Sequence, residues 1–236
     1  MPTTLPAPVQ DALDELARAL SALTPAPVLG AVLYGGAAKG KAHTPSSDLN
    51  ILIVLADGSP ASLERLAAPL AEARRRAGAA PLIVTADELP AAAEAFPVKF
   101  HDIVKVHRVL AGRDPLEGLR IAPERLKEDA RRDLTGLSLR LKRLYATRAD
   151  RPDLAQEGLV DALPSAVTDL ATLLEVAGKA VPEHREDVLA EAGRHFGFDA
   201  APLVELLAVK KGGASARRPS EFLAAFLEAA ARGARA

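Results

Sequence analysis

Two apolar runs, Val28 to Tyr34 and Asp48 to Leu55, are separated by Gly35-Gly36 and a short segment rich in Gly, Lys, Pro and Ser. Runs of this length, β-rich and bounded by Pro27 and the glycines, read as buried strands. Consecutive glycines let the backbone turn sharply and approach a ligand closely, because no Cβ stands in the way. Backbone N–H groups at such a turn, feeding a short helix expected at Ala37-Ala38-Lys39, form an anion site of the kind phosphates use. Gly35, Gly36, Lys39 and Gly40 are therefore candidate phosphate-binding residues; Lys41 flanks Gly40 in the same loop as a further candidate, and His43 there reads as exposed. Asp48-Leu49-Asn50 opens the second run. Alternation along a strand points Asp48 and Asn50 one way and Leu49 and Ile51 the other, into a core.

Strand, Gly-Gly, Ala-x-Gly, a polar loop ending in Ser-Asp and a second strand, in that order, resemble the signature of the polymerase-β-like nucleotidyltransferases. In that superfamily a carboxylate–apolar–carboxylate triplet holds two divalent ions. The ions polarise a nucleoside triphosphate and activate an acceptor hydroxyl for attack at the α-phosphorus. The resemblance thus implies catalytic positions at Asp48 and Asn50, a metal ligand at Asp48, a nucleotide-binding residue at Ser47, and Mg²⁺ and a nucleoside triphosphate as cofactors. The chain departs from the pattern at Asn50, a neutral amide where the second acid belongs. The third acid of the family lies on a later strand, here expected over Pro97 to Val104, where the matching position is Lys99. On such a strand Lys99, His101 and Ile103 share one face, and Val98, Phe100 and Asp102 the other. Asp102 would then be a solvated strand-end residue unless a bulge re-aimed it. A lysine within a few ångströms of Asp48 opposes Mg²⁺, since unit charges about 4 Å apart interact by several kcal/mol near an effective dielectric of 20. It would pair with Asp48 or contact a phosphate as a point charge.

The 236 residues suffice for one large core or two modest ones. The net charge of −1 and the lack of a polybasic tail supply no field for nucleic acid, which is not an expected partner. No cysteine is present, which removes disulfides and thiolate chemistry and fits a reducing compartment. Met1-Pro2-Thr3-Thr4 does not read as a signal peptide, and no apolar run is long enough to span a bilayer, so a cytoplasmic protein is expected. The Ala/Leu/Arg/Pro-rich style is that of a GC-rich, bacterial genome.

Helical periodicity marks Val9 to Leu23, Pro60 to Ala77 and Asp87 to Glu94, with a short strand over Pro81 to Thr85. Beyond Arg120 only helical patterns remain: Glu124 to Arg148, Asp153 to Lys179 interrupted at Pro164, Glu183 to Phe196, Pro202 to Lys211 and Ser220 to Arg232. The expected fold class is an α/β N-terminal domain with a small mixed sheet, residues 1–116, followed by an all-α helical bundle, residues 117–236. That second half resembles, in order and length, the bundles that accompany nucleotidyltransferases of the aminoglycoside and lincosamide type. The Arg-x₄₋₆-His spacing of ribonuclease bundles is absent, Arg194 and His195 being adjacent. Isolated histidines such as His101 and His107 read as structural. The basic stretch Arg140, Lys142, Arg143 and Arg148 reads as a solvated helix end, and Lys210-Lys211-Gly212-Gly213 as a helix stop.

Three functions fit these residues. The leading one is a catalytically impaired nucleotidyltransferase-fold protein that binds a nucleotide or another phosphate ligand. The others are an active transferase moving a nucleoside monophosphate onto a small molecule or macromolecule, and a non-enzymatic module that binds a protein partner through its helical half.

Overall fold

A computed structural model describes residues 5–23, 27–40 and 48–236. The chain divides into two compact units, 1–121 and 122–236.

The first unit is built on a four-stranded mixed sheet: β1 (Val28–Tyr34), β2 (Leu49–Leu55), β3 (Ala79–Thr85) and β4 (His107–Gly112), in the order β3-β2-β1-β4. β1 pairs antiparallel with both β2 and β4, and β2 pairs parallel with β3. The parallel pair needs a crossover, which helix α2 (Pro60–Ala77) supplies. Local chemistry sets both ends of α2. The Ser59 hydroxyl accepts from the Ser62 N–H at its start, and Gly78, at φ +65°, donates to the carbonyls of Ala73 and Arg74 at its end. Arg74, Arg75 and Arg76 place cations in the last turn, where the helix dipole favours them.

Alternation divides the sheet between two apolar layers. Ala31, Leu33, Leu49, Ile51, Ile53 and Leu55 pack with α1 (Ala7–Ala22) and α2. Val32, Tyr34, Leu52, Val54 and Val84 pack with α3 (Leu89–Ala95) and α4 (Pro97–Lys105). Six of the seven β2 side chains are fully buried, and each is worth about 1.5–3 kcal/mol by area. The central strand therefore anchors anything its N-terminal end carries.

The segment 97–105, expected as a strand, is a helix. Pro97 occupies its first turn, where a fixed φ and a missing N–H cost nothing. Its buried residues are Pro97, Val98, Phe100 and Ile103. The spacing of Pro97, Phe100 and Ile103 is that of a helix face. The strand that follows is β4, whose Tyr34↔His107 and Val32↔Val109 pairing closes the sheet edge.

The second unit is helical throughout: α5 (Pro123–Ala146), α6 (Pro152–Val176), α7 (Arg185–Phe196), α8 (Ala201–Lys210) and α9 (Pro219–Gly233). Helix α6 is its centre, touching each of the other four. It runs on through Pro164, where the sequence suggested a break, and the Thr168 hydroxyl donates to the Pro164 carbonyl. Helix α8 ends at Lys210, and Gly212 at φ +92° turns the chain away. Arg148 ties the α5–α6 turn by donating to the Leu154 carbonyl. Among the described residues no helix is long and apolar enough to cross a membrane.

Candidate phosphate-binding site

β1 ends at Tyr34, and Gly35 turns the chain at φ +76°, a conformation that side chains rarely tolerate. Residues 35–40 form hydrogen-bonded turns in place of the expected short helix. The Lys39 N–H donates to the Gly35 carbonyl at 3.1 Å, and the Gly40 N–H to that of Ala37 at 3.2 Å. Gly40 is also left-handed, at φ +67°.

β2 carries Asn50 directly opposite Tyr34. By alternation Asn50 shares the sheet face of Leu52 and Val54, and Asp48 stands at the exposed entry of the strand, two residues earlier. The Asn50 amide lies against the bare Cα of Gly35: a Cβ there would be 3.3 Å from Nδ2. Thus the turn and the Asn50 side chain form one surface, with Asp48 two residues before Asn50. Tyr34 beside them is buried, and burial raises its phenol pKa, so it stays neutral.

The helical form of 97–105 changes the rest of the site. Lys99 is an exposed residue in the first turn of α4, so the expectation that it occupies a strand position facing Asp48 and Asn50 is corrected. Asp102, expected to be merely solvated, is ion-paired with Lys39 of the glycine turn. The two side chains are 32% and 36% exposed. Helical spacing aims Asp102 where a strand would not have. Ser47, Lys41 and His43 lie outside the described residues.

His107 is structural. Its Nδ1 lies 3.0 Å from the Ile103 carbonyl and its Nε2 3.1 Å from Asp114 Oδ2, which pins β4 to the end of α4 and to the loop beyond. Burial opposes ionisation of Asp114. The Leu116 N–H and the His107 bond outweigh it, and the carboxyl sits below its ordinary pKa. His101 is half-buried on α4 and also makes contacts.

These donors do not suit a pair of Mg²⁺ ions. Asn50 offers a neutral oxygen, Asp102 already faces an ammonium group, and no group of three His, Asp or Glu side chains among the described residues is placed to hold a metal. What the surface does offer an anion is a glycine turn with its N–H groups and the Lys39 ammonium. The sequence reading missed the Lys39–Asp102 pair, although the spacing of Pro97, Phe100 and Ile103 fits a helix face. Compared with known proteins, the chain matches no protein-family model and no curated protein.

Proposed function

We propose that this is a nucleotidyltransferase-like protein that binds a nucleotide or another phosphate ester and turns it over slowly or not at all. The observation that supports the reading is the seating of Asn50 against Gly35, which joins the glycine turn and the Asn50 side chain in one surface. A phosphate at that turn would meet backbone N–H groups, and the Lys39 ammonium once it leaves Asp102. Catalysis by two metals needs paired carboxylates, and here the second position of the triplet is the neutral amide of Asn50, while nearby Asp102 is ion-paired with Lys39.

The test is calorimetry with each of the four nucleoside triphosphates, with and without Mg²⁺, alongside a pyrophosphate-release assay. At least one triphosphate should bind without Mg²⁺, bind more weakly as salt rises, and release little pyrophosphate. Strictly Mg²⁺-dependent binding with pyrophosphate release abolished by Asp48→Ala would establish the active transferase instead. No binding at millimolar triphosphate and low salt would overturn the reading.

A further inference from the structure

The second unit contains a cavity of about 380 Å³, within the roughly 300–1,000 Å³ typical of small-molecule sites. It collects basic side chains from three helices and the residues after them: Lys127 of α5, His195 of α7, and Arg232 and Arg235 at and beyond the end of α9. Leu173 and Val176 of α6 and Phe196 give the lining apolar surface, and the Phe196 ring meets that of His195 edge-on at 4.9 Å between centroids. No Asp or Glu side chain is in this lining.

Cations at helix C-termini have an ordinary explanation, because each end carries a partial charge of about −0.5. Three such ends meet here, those of α6, α7 and α9. Together they offset about half of the charge on Lys127, Arg232 and Arg235. Glu228 stands 3.9 Å from Arg232, and both are about half exposed, so that pair holds the guanidinium weakly. The permanent cations exceed what the helix ends consume, and they share the lining with apolar side chains.

We infer that this cavity binds a small organic anion of the phosphate-monoester class, with the phosphate held by Arg232, Arg235 and Lys127 and an apolar body resting on Leu173, Val176 and Phe196. Guanidinium groups suit the task because their donors match phosphate oxygens in pairs. The site lies within the helical unit and is independent of the glycine-turn reading.

The probe is phenyl phosphate, titrated calorimetrically into the full chain at about 50 mM salt, where charge contacts are only partly screened. One equivalent should bind, more tightly than inorganic phosphate, which lacks the apolar body. The double variant Arg232→Gln/Arg235→Gln should weaken binding about tenfold or more, equivalent to about 1.4 kcal/mol. Ala177→Glu, at an exposed lining position, should weaken it similarly by adding an anion, and serves if the double variant fails to fold. Gly118→Ala, outside both candidate sites, should leave it unchanged. The inference is overturned if phenyl phosphate does not bind at about 10 mM, a concentration that still detects millimolar affinity. It is equally overturned if both cavity variants bind as the parent does, or if Gly35→Ala alone abolishes binding, which would place the phosphate at the glycine turn.

Discussion

Lys39 reaches from the glycine turn to Asp102, 63 residues further along the chain on α4, and the two form an ion pair with about a third of each side chain exposed. Such half-wet pairs contribute about 0.2–1 kcal/mol to stability. The pair matters more for what it withholds: it occupies the cation that an incoming phosphate would meet, and a carboxylate that reaches the turn.

Substitution at either end should separate binding from folding. Lys39→Ala should weaken triphosphate binding about tenfold, the usual weight of a charge-assisted contact. Asp102→Asn should strengthen metal-free binding several-fold by releasing the ammonium. Neither should change unfolding free energy by more than about 1 kcal/mol. Calorimetry and urea titration measure the two effects; unchanged affinity in Lys39→Ala would remove the lysine from the site.

Gly35 and Gly118 provide a matched comparison. Both are left-handed, at φ +76° and +79°, so alanine at either costs about 1–2 kcal/mol in backbone strain. A Cβ at Gly118 meets nothing within 4 Å, whereas one at Gly35 comes within 3.3 Å of the Asn50 amide. Gly35→Ala should therefore lose triphosphate binding, and Gly118→Ala should keep it at a similar loss of stability. Equal affinities for the two would sink the assignment of the turn.

Asn50→Asp tests the strand. It returns a carboxylate to the face that Asp48 shares, and hard divalent ions prefer paired carboxylates. Mn²⁺ affinity, followed by electron paramagnetic resonance, should rise about tenfold, the order expected of a restored ligand charge. If Mn²⁺ binds no better, Asp48 and Asn50 do not face a common site.

Asp169 governs a pH effect in the helical unit. It is 2% exposed on α6, and one carboxylate oxygen has no hydrogen-bond partner. Burial, reinforced by the charge of Asp133 and opposed by Arg140, raises its pKa to about 8. Between the ordinary carboxylate range and pH 8 the folded chain holds a proton here that the unfolded chain has lost. Stability therefore falls as pH rises across that window, by up to about 1.4 kcal/mol per unit from this group alone. Asp169→Asn removes the titration and keeps the shape. Thermal melts should show the variant more stable than the parent at pH 7.5 and little changed near pH 4. Parallel pH profiles for the two would refute the assignment.

The strands β1 and β2 and most of the helices were legible because each announces itself locally, through uninterrupted apolar runs or leucines at helical spacing such as Leu13, Leu16 and Leu20. The turn at Gly35 was legible for the same reason: two glycines between apolar runs admit few other readings. Segment 97–105 was not. Over nine residues an alternating and a helical pattern differ by one or two positions, and reading Val98, Phe100 and Asp102 as one strand face misplaced both Lys99 and Asp102.

Local pattern alone thus determined that Gly35, Asp48 and Asn50 lie at a strand–turn–strand, since those features depend on neighbours a few residues away. Only the tertiary structure decided that Asn50 rests on Gly35, that Lys39 meets Asp102, and that Lys127, His195, Arg232 and Arg235 gather at one end of the helical unit. The physical reason is that each of these contacts depends on the pairing register of the sheet or the packing of α4 and α6, and these answer to the burial of side chains far apart in sequence.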